Sequence, residues 1–294
     1  MRMAKLSWLV LAALLLAAPA WAAPKIQVHG HRGCRGFRPE NTLAAFHEAL
    51  SFGVDVLELD LAVTKDGVIV VSHNPDIDPA ICLGPDGKPA EEKAIHSLTL
   101  AEVQGYDCGS LKNPKFERQI PVPGQRIPRL AEVFDLVKDS SFPGAKTVEF
   151  NIETKIFPGD PDKAPAPAEF AKAVADVVKK HGLESRVIVQ SFDRRTLDEL
   201  RKLEPRIRRS MLTSDNLVDF AAVAKAQKVD IISPYYLWIT KPDVDALHKL
   251  KVQVAPWTVN DEAGWAKVID MGADAIITDY PHDLIAYLKK RGLR

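Results

Sequence analysis

The sequence predicts an α/β protein folded as a (β/α)8 barrel. Three observations carry that expectation. Short β-branched runs alternate with longer amphipathic stretches, the pattern of a parallel sheet wrapped by helices. Eight such runs, each leading into a helical pattern, fit within the roughly 270 residues of one barrel. The 294 residues are 46% hydrophobic and 27% charged, an ordinary globular balance with material for one large core. A doubly wound open sheet shares this alternation and is the competing architecture.

The first 22 residues stand apart from the barrel. Arg2 and Lys5 precede an apolar run from Leu6 to Ala18, and Ala20-Trp21-Ala22 supplies the small residues of a cleavage site. This is the pattern of a secretory signal cut after Ala22. About 13 apolar residues are too few for the ~20 that cross a bilayer, so no stable membrane insertion is expected after cleavage. The expected mature domain is 23–294, periplasmic or secreted. Of 39 basic residues, Arg2 and Lys5 precede the cut, leaving 37 against 39 acidic ones and a net charge of −2. That balance offers no basic excess for nucleic-acid phosphates.

The predicted strands run Ile26 to Gly30, Val54 to Val63, Thr147 to Glu153, Val187 to Ser191, Ile207 to Leu212, Asp230 to Ser233, Val252 to Trp257 and Ala275 to Thr278. Helical patterns lie at Thr42 to Ser51, Arg129 to Asp139, Ala168 to His181, Asp193 to Leu203, Leu217 to Gln227, Pro242 to Leu250, Asp261 to Met271 and Asp283 to Arg291. After the second strand the rhythm breaks. Val68 to Ser72 reads as an extra strand behind the "TKDG" turn at Thr64 to Gly67, and residues 75–128 are rich in Pro, Gly and charge. So long a loop implies an inserted small subdomain. The three cysteines allow three pairings. A Cys82–Cys108 disulfide stapling the insertion is the preferred one, with Cys34 left over and no zinc-like spacing.

Catalytic groups of such barrels sit at the C-terminal ends of the strands. Here those ends carry His31-Arg32-Gly33, Glu58 and Asp60, His73-Asn74, Asn151, Glu153 and Lys155, Gln190-Ser191, Trp257 with Asn260, and Thr278-Asp279. The two-residue repeat of "VLELDLAV" puts Glu58 and Asp60 on one face with Leu57, Leu59 and Leu61 on the other, and "VEFNIETK" does the same for Glu149, Asn151, Glu153 and Lys155. Two strands thus bring acids into one interior. Unpaired buried carboxylates cost several kcal/mol each, and a divalent cation is the usual remedy. Oxygen ligands favour Ca2+, Mg2+ or Mn2+ over zinc. The alternative is a set of structural ion pairs with Lys155 or Arg32.

His31 and His73 suit a general acid and base. Arg32 suits an anion clamp. His29 is a weaker candidate, and His47, His96, His181, His248 and His282 read as structural or surface groups. Together these residues point to phosphoryl chemistry. The glycines of "GHRGCRG" lack dinucleotide-binding spacing, and no P-loop motif is present, which disfavours nucleotide-dependent reactions.

Nine motifs in register along nearly the whole mature chain resemble the glycerophosphodiester phosphodiesterase family. They are "HRG" at His31, "PENT" at Pro39, "ELD" at Glu58, "TKDG" at Thr64, "VVSHN" at Val70, "IETK" at Ile152, "QSF" at Gln190, "PWTVN" at Pro256 and "TDYP" at Thr278. The resemblance implies a TIM barrel with an insertion after the second strand. It also implies metal-dependent hydrolysis of glycerophosphodiesters to glycerol 3-phosphate and an alcohol such as choline, ethanolamine or glycerol. It casts Glu58, Asp60 and Glu153 as metal ligands and His31 and His73 as the acid/base pair. Arg32 becomes the phosphate clamp, Lys155 a neutraliser of phosphate charge, Glu40 part of the site and Trp257 a substrate contact. Asn74 departs from the family pattern, which has Asp after the second histidine. Two other functions compete: a lysophospholipase D-like enzyme using Phe37, Trp238 or Trp257 as apolar contacts, and a non-catalytic barrel that binds phosphodiesters.

Overall fold

A computed structural model describes residues 25–294. The signal expected at 1–22 lies outside the described residues. Strand β1 (Gln27–Gly30) leads through a tight loop to helix α1 (Leu43–Phe52), then β2 (Val56–Val63) and the short β3 (Ile69–Val71). The insertion holds α2 (Leu100–Val103). Beyond it the units repeat: α3 (Leu130–Lys138), β4 (Glu149–Thr154), α4 (Pro167–His181), β5 (Val187–Ser191), α5 (Arg194–Leu203), β6 (Arg208–Thr213) and α6 (Phe220–Gln227). The chain ends with β7 (Ile231–Pro234), α7 (Lys241–Lys249), β8 (Gln253–Val254), α8 (Glu262–Met271), β9 (Ala275–Thr278) and α9 (Pro281–Lys290).

The strands order as β8-β7-β6-β5-β4-β2-β1-β9, every neighbouring pair parallel. The two ends of that series meet through backbone hydrogen bonds, Asp274 N to Val254 O and Ile277 N to Pro256 O, each 3.0 Å. The sheet is therefore a closed barrel of eight parallel strands, and the open-sheet alternative falls. β3 pairs antiparallel with β2 outside this ring, through Leu61↔Val71, Ala62↔Val70 and Val63↔Ile69.

Alternation along β2 sorts its side chains as the sequence predicts. Leu57, Leu59 and Leu61 join the continuous core between barrel and helices, with Phe46, Phe150 and Phe170. A small separate apolar cluster of Ile188, Ile231, Ala255 and Ala275 completes the packing. Asp55 ties the barrel's lower rim together, accepting from Val28 N and pairing with Lys25 and Arg294.

The insertion has its own apolar nucleus of Ile77, Ile95, Val103, Tyr106 and Ile127, packed against Val70 and around the Cys82–Cys108 disulfide. Cys34 is a free thiol buried under α1, its Sγ 3.3 Å from Ala45 O. One sequence expectation changes. Helix α6 starts at Phe220 rather than Leu217, because Asp219 caps it by accepting from Ala222 N at 2.9 Å, which leaves Leu217 87% exposed. The glycines of the β1–α1 loop also serve close packing. A Cβ on Gly30 would lie 2.2 Å from Gly33 O, and one on Gly36 would lie 2.4 Å from the Tyr280 ring.

Replacing both Cys82 and Cys108 by serine should cost ~2–4 kcal/mol. Because the insertion has a separate nucleus, limited proteolysis should then cut within 75–128 while circular dichroism of the barrel is retained.

Candidate active site

At the C-terminal ends of the strands lies a cavity of about 230 Å3 whose walls include His31, Arg32, Arg35, Glu58, His73 and Glu153. Lys155, Gln190, Phe192 and Trp257 also line it. The chain leaves β1 through left-handed backbone at Arg32 (φ 52°) and Gly33 (φ 85°). Glu58 holds this turn, its Oε2 accepting from Arg32 N at 2.8 Å while its carbonyl accepts from Gly33 N at 3.1 Å. A third left-handed residue, Asn41 (φ 56°), bonds back from its N to Arg32 O at 3.0 Å and sends Nδ2 to Asp60 Oδ2 at 3.0 Å. Thr42 then caps α1, accepting from Ala45 N at 3.2 Å. "HRG" and "PENT" are thus the two ends of one loop folded over the acids of β2. Non-glycine residues held at positive φ concentrate at such functional positions.

Glu58, Asp60 and Glu153 are buried, and each offers an oxygen within 4.8 Å of the others. Register explains their meeting: Glu58 lies opposite Asn151 and Asp60 opposite Glu153 across the β2–β4 ladder. Two cations stand among them. Lys155 Nζ is 2.6 Å from Glu153 Oε1 and 3.1 Å from Asp60 Oδ1. Arg32 places Nη1 2.6 Å from Glu40 Oε1 and Nε 3.4 Å from Asp60 Oδ2. The ion pairs foreseen as an alternative to a metal are therefore real, but they do not balance the site. With every acid ionised, four carboxylates (Glu40, Glu58, Asp60, Glu153) would face two cations (Arg32, Lys155), an excess of two negative charges.

The acids respond unequally. Burial, then the neighbouring Asp60 charge, push Glu58 well above the usual carboxylate range. Burial raises Glu153 to about 7 against the pull of Lys155. Burial acts on Asp60 too, but Lys155 and Arg32 outweigh it and hold its carboxyl well below that range. Asp60 Oδ1, although near Lys155, makes no hydrogen bond of acceptable angle. A triad of hard oxygen donors with surplus negative charge and a buried oxygen still to be satisfied fits one divalent cation.

His31 Nδ1 is 2.6 Å from Asp279 Oδ1, leaving Nε2 on the other side of the ring, 3.9 Å from Glu58 Oε2. Asp279 is itself fixed by Arg35 Nε at 2.5 Å and Asn260 Nδ2 at 2.8 Å. Burial, reinforced by Arg35, lowers His31 to about 4 despite the opposing Asp279 charge. His73 Nδ1 lies 2.8 Å from Asn74 Oδ1, and burial also lowers its pKa. Trp257 anchors its indole through Nε1 to Ser233 O at 2.9 Å and meets the Phe192 ring edge-on at 5.6 Å.

The residues that the resemblance casts as acid/base pair, metal ligands, phosphate groups and substrate contact all line this cavity except Glu40 and Asp60, which stand directly behind Arg32 and Lys155. Trp238, expected as an apolar contact, does not line it. Nor does His29. It is buried inside the barrel, held at about 3 by that burial, with Nδ1 3.5 Å from Asn151 Nδ2. Phe37 does not either, packing against Phe52, Tyr280 and Arg118. Sequence reasoning passed over Asp279, Arg35 and Gln190 as site groups. Asp279 and Gln190 were visible as polar strand ends, but the sequence does not show the register that sets Thr278 beside Gly30 and so brings Asp279 to His31, or that Gln190 Nε2 donates to Glu58 Oε1 at 2.8 Å.

Barrel and mouth together define a (β/α)8 hydrolase whose acid cluster and basic groups are suited to an anionic diester. The chain belongs to the glycerophosphoryl diester phosphodiesterase family, whose model matches residues 31–283. It is 32% identical over 268 residues to a glycerophosphodiester phosphodiesterase of Caldanaerobacter subterraneus, covering 91% of this chain and 100% of that one. A solved structure from Silicibacter pomeroyi, provisionally named a glycerophosphoryl diester phosphodiesterase, superposes with a TM-score of 0.84 at 31% identity, covering 92% and 95% of the two chains. A lysophospholipase D of Mus musculus is 27% identical, covering 88% of this chain and 84% of that one. The protein is thus a hydrolase of glycerophosphodiesters.

With Glu153 raised to about 7, a cation must displace its proton below that pH. Because Glu58 is raised as well, both protons must leave, so apparent Ca2+ or Mg2+ affinity should rise as pH increases through 7 and fall as pH drops toward 6. Isothermal titration calorimetry at several pH values measures this directly.

Proposed function

We propose that the protein hydrolyses glycerophosphodiesters to glycerol 3-phosphate and an alcohol, with His31 and His73 transferring protons beside a divalent cation held by Glu58, Asp60 and Glu153. The observation that carries this reading is the convergence of both imidazoles and the carboxylate cluster on one cavity. When bound, Ca2+, Mg2+ or Mn2+ supplies charge neutralisation and polarises a phosphoryl oxygen. The protein's own groups do the rest. Arg32, its fork steadied by Glu40, binds and orients phosphate oxygens, and Lys155 adds positive charge from beside the other oxygen of Asp60. One imidazole removes the proton from the attacking hydroxyl, either the glycerol 2-hydroxyl or water, and the other protonates the departing alcohol oxygen. Asp279 keeps the His31 ring in place for this exchange. Trp257 and Phe192 offer flat apolar faces to the carbon part of the substrate.

Export to the periplasm or medium belongs to the same reading. The basic, apolar and small-residue sequence of the first 22 residues supports it, as does a disulfide of the kind that persists in oxidising compartments.

A second substrate reading has its own observation. Phe192, Leu217, Val218, Leu237 and Trp238 are large apolar side chains left 45–87% exposed, and they lie on the loops after β5, β6 and β7. No described helix is long and apolar enough to cross a membrane. These side chains instead suit the acyl chain of a lysophospholipid approaching beside Phe192.

Release of glycerol 3-phosphate from glycerophosphocholine, lost on chelation, tests the principal reading. His31→Ala should lower kcat ~10²–10⁴-fold, the contribution of one proton-transfer group. Glu58→Ala should abolish cation binding and turnover. Absence of turnover on any diester with saturating metal would leave only a phosphodiester-binding barrel. For the acyl reading, Leu237→Ser with Trp238→Ser should reduce hydrolysis of lysophosphatidylcholine and spare glycerophosphocholine; equal effects on both would remove it.

A further inference from the structure

His73 is held from behind by one side chain, and that one by another. Its Nδ1 meets Asn74 Oδ1 at 2.8 Å, and Asn74 Nδ2 donates to Asp78 Oδ2 at 3.0 Å. Asp78 is fixed in turn. Its Oδ1 accepts from Ala80 N at 2.8 Å, and its carbonyl accepts from Ile81 N at 3.1 Å and Cys82 N at 2.9 Å. Cys82 is one end of the disulfide, so these contacts run from the cavity wall into the stapled insertion.

A side-chain amide has nearly the same shape either way round, so Asn74 alone does not dictate which end faces His73. An ionised carboxylate can only accept. Asp78 therefore demands the amide NH2, which leaves the amide oxygen for His73, and an oxygen acceptor in turn demands the ring proton on Nδ1. Nε2 is then the bare nitrogen. The flipped amide would set oxygen against carboxylate and NH2 against Nδ1, forcing the proton to Nε2. His31 gains the same Nδ1–H state from a single contact with Asp279. His73 needs two links because its neighbour is an amide.

We propose that Asp78 is a positioning residue for His73: acting through Asn74, its charge selects the imidazole tautomer that keeps a proton on Nδ1 and leaves Nε2 as the nitrogen that exchanges a proton in the reaction. The proposal rests on the reading of His73 as a proton-transfer group. Asp78 itself is absent from the walls of the active-site cavity and from the acid cluster.

The test combines imidazole 15N NMR with kinetics on the full chain saturated with divalent cation. In wild type, His73 should show the Nδ1–H pattern. Asp78→Asn keeps the shape but removes the charge, so the pattern should shift toward Nε2–H and kcat should fall ~10–100-fold with KM nearly unchanged, the size of effect typical of an outer partner. The exchange Asn74→Asp with Asp78→Asn sets a carboxylate directly on Nδ1 with an amide behind it. It should restore the Nδ1–H pattern and bring kcat to within about threefold of wild type. An Asp78→Asn protein with unchanged tautomer or unchanged kcat overturns the proposal, as does a folded exchange variant that regains neither. The NMR readout needs no turnover: a wild type inactive on every diester removes the proposed function, whereas a tautomer indifferent to Asp78 removes this inference.

Discussion

Charge imbalance inside a closed barrel is the constraint on which the site depends. Glu40, Glu58, Asp60 and Glu153 crowd the mouth of the strands against only Arg32 and Lys155. A protein folded for stability alone gains nothing from burying these acids, since removing charges from water costs more than imperfect pairing returns. The local backbone is organised around them: the Arg32–Gly33 turn closes on Glu58, Asn41 turns back to reach Asp60, and Gln190 reaches past β4 to the remaining oxygen of Glu58. Each contact fixes a carboxylate without cancelling its charge. Hydrogen bonds from neutral amides do this well, because they orient the oxygens while leaving their negative potential for a cation.

The two histidines are supported by different chemistry. His31 stands on Asp279, a carboxylate shared with Arg35 and Asn260 in the barrel wall. His73 stands on Asn74, whose orientation is set from the insertion. One is governed by the closure of β9 against β1, the other by a subdomain with a separate apolar nucleus. The insertion is thus more than a cover for one side of the barrel; it carries the backing of a site residue.

Much of this was legible in the sequence because strand alternation is a local property. The repeat in "VLELDLAV" and "VEFNIETK" fixes which residues face inward without knowledge of the neighbours, and the motifs mark the strand ends. Partnerships across the barrel were not legible. Asp279 is 248 residues from His31, and nothing in either segment says that Gly30 and Thr278 are register partners. His29 was ambiguous for a related reason: two residues before His31 it has the same parity, but one pleat deeper it lies inside the barrel among Asn151 and Gln190 rather than at the mouth. The close contacts of the loop glycines were not legible either: Gly30 and Gly36 answer to the loop's own carbonyl and to Tyr280, contacts that exist only after folding.

The pairing of Asp60 with Glu153 across β2 and β4 makes the acid cluster a record of how the chain was assembled. Slipping that ladder by one residue would turn the acids of one strand toward the helices and put leucine or isoleucine in their place. Near-native misassembled forms with intact helices and similar compactness would therefore lack the coordinating oxygens. The fraction of molecules that can take up a cation is, in this architecture, an assay of correct strand register.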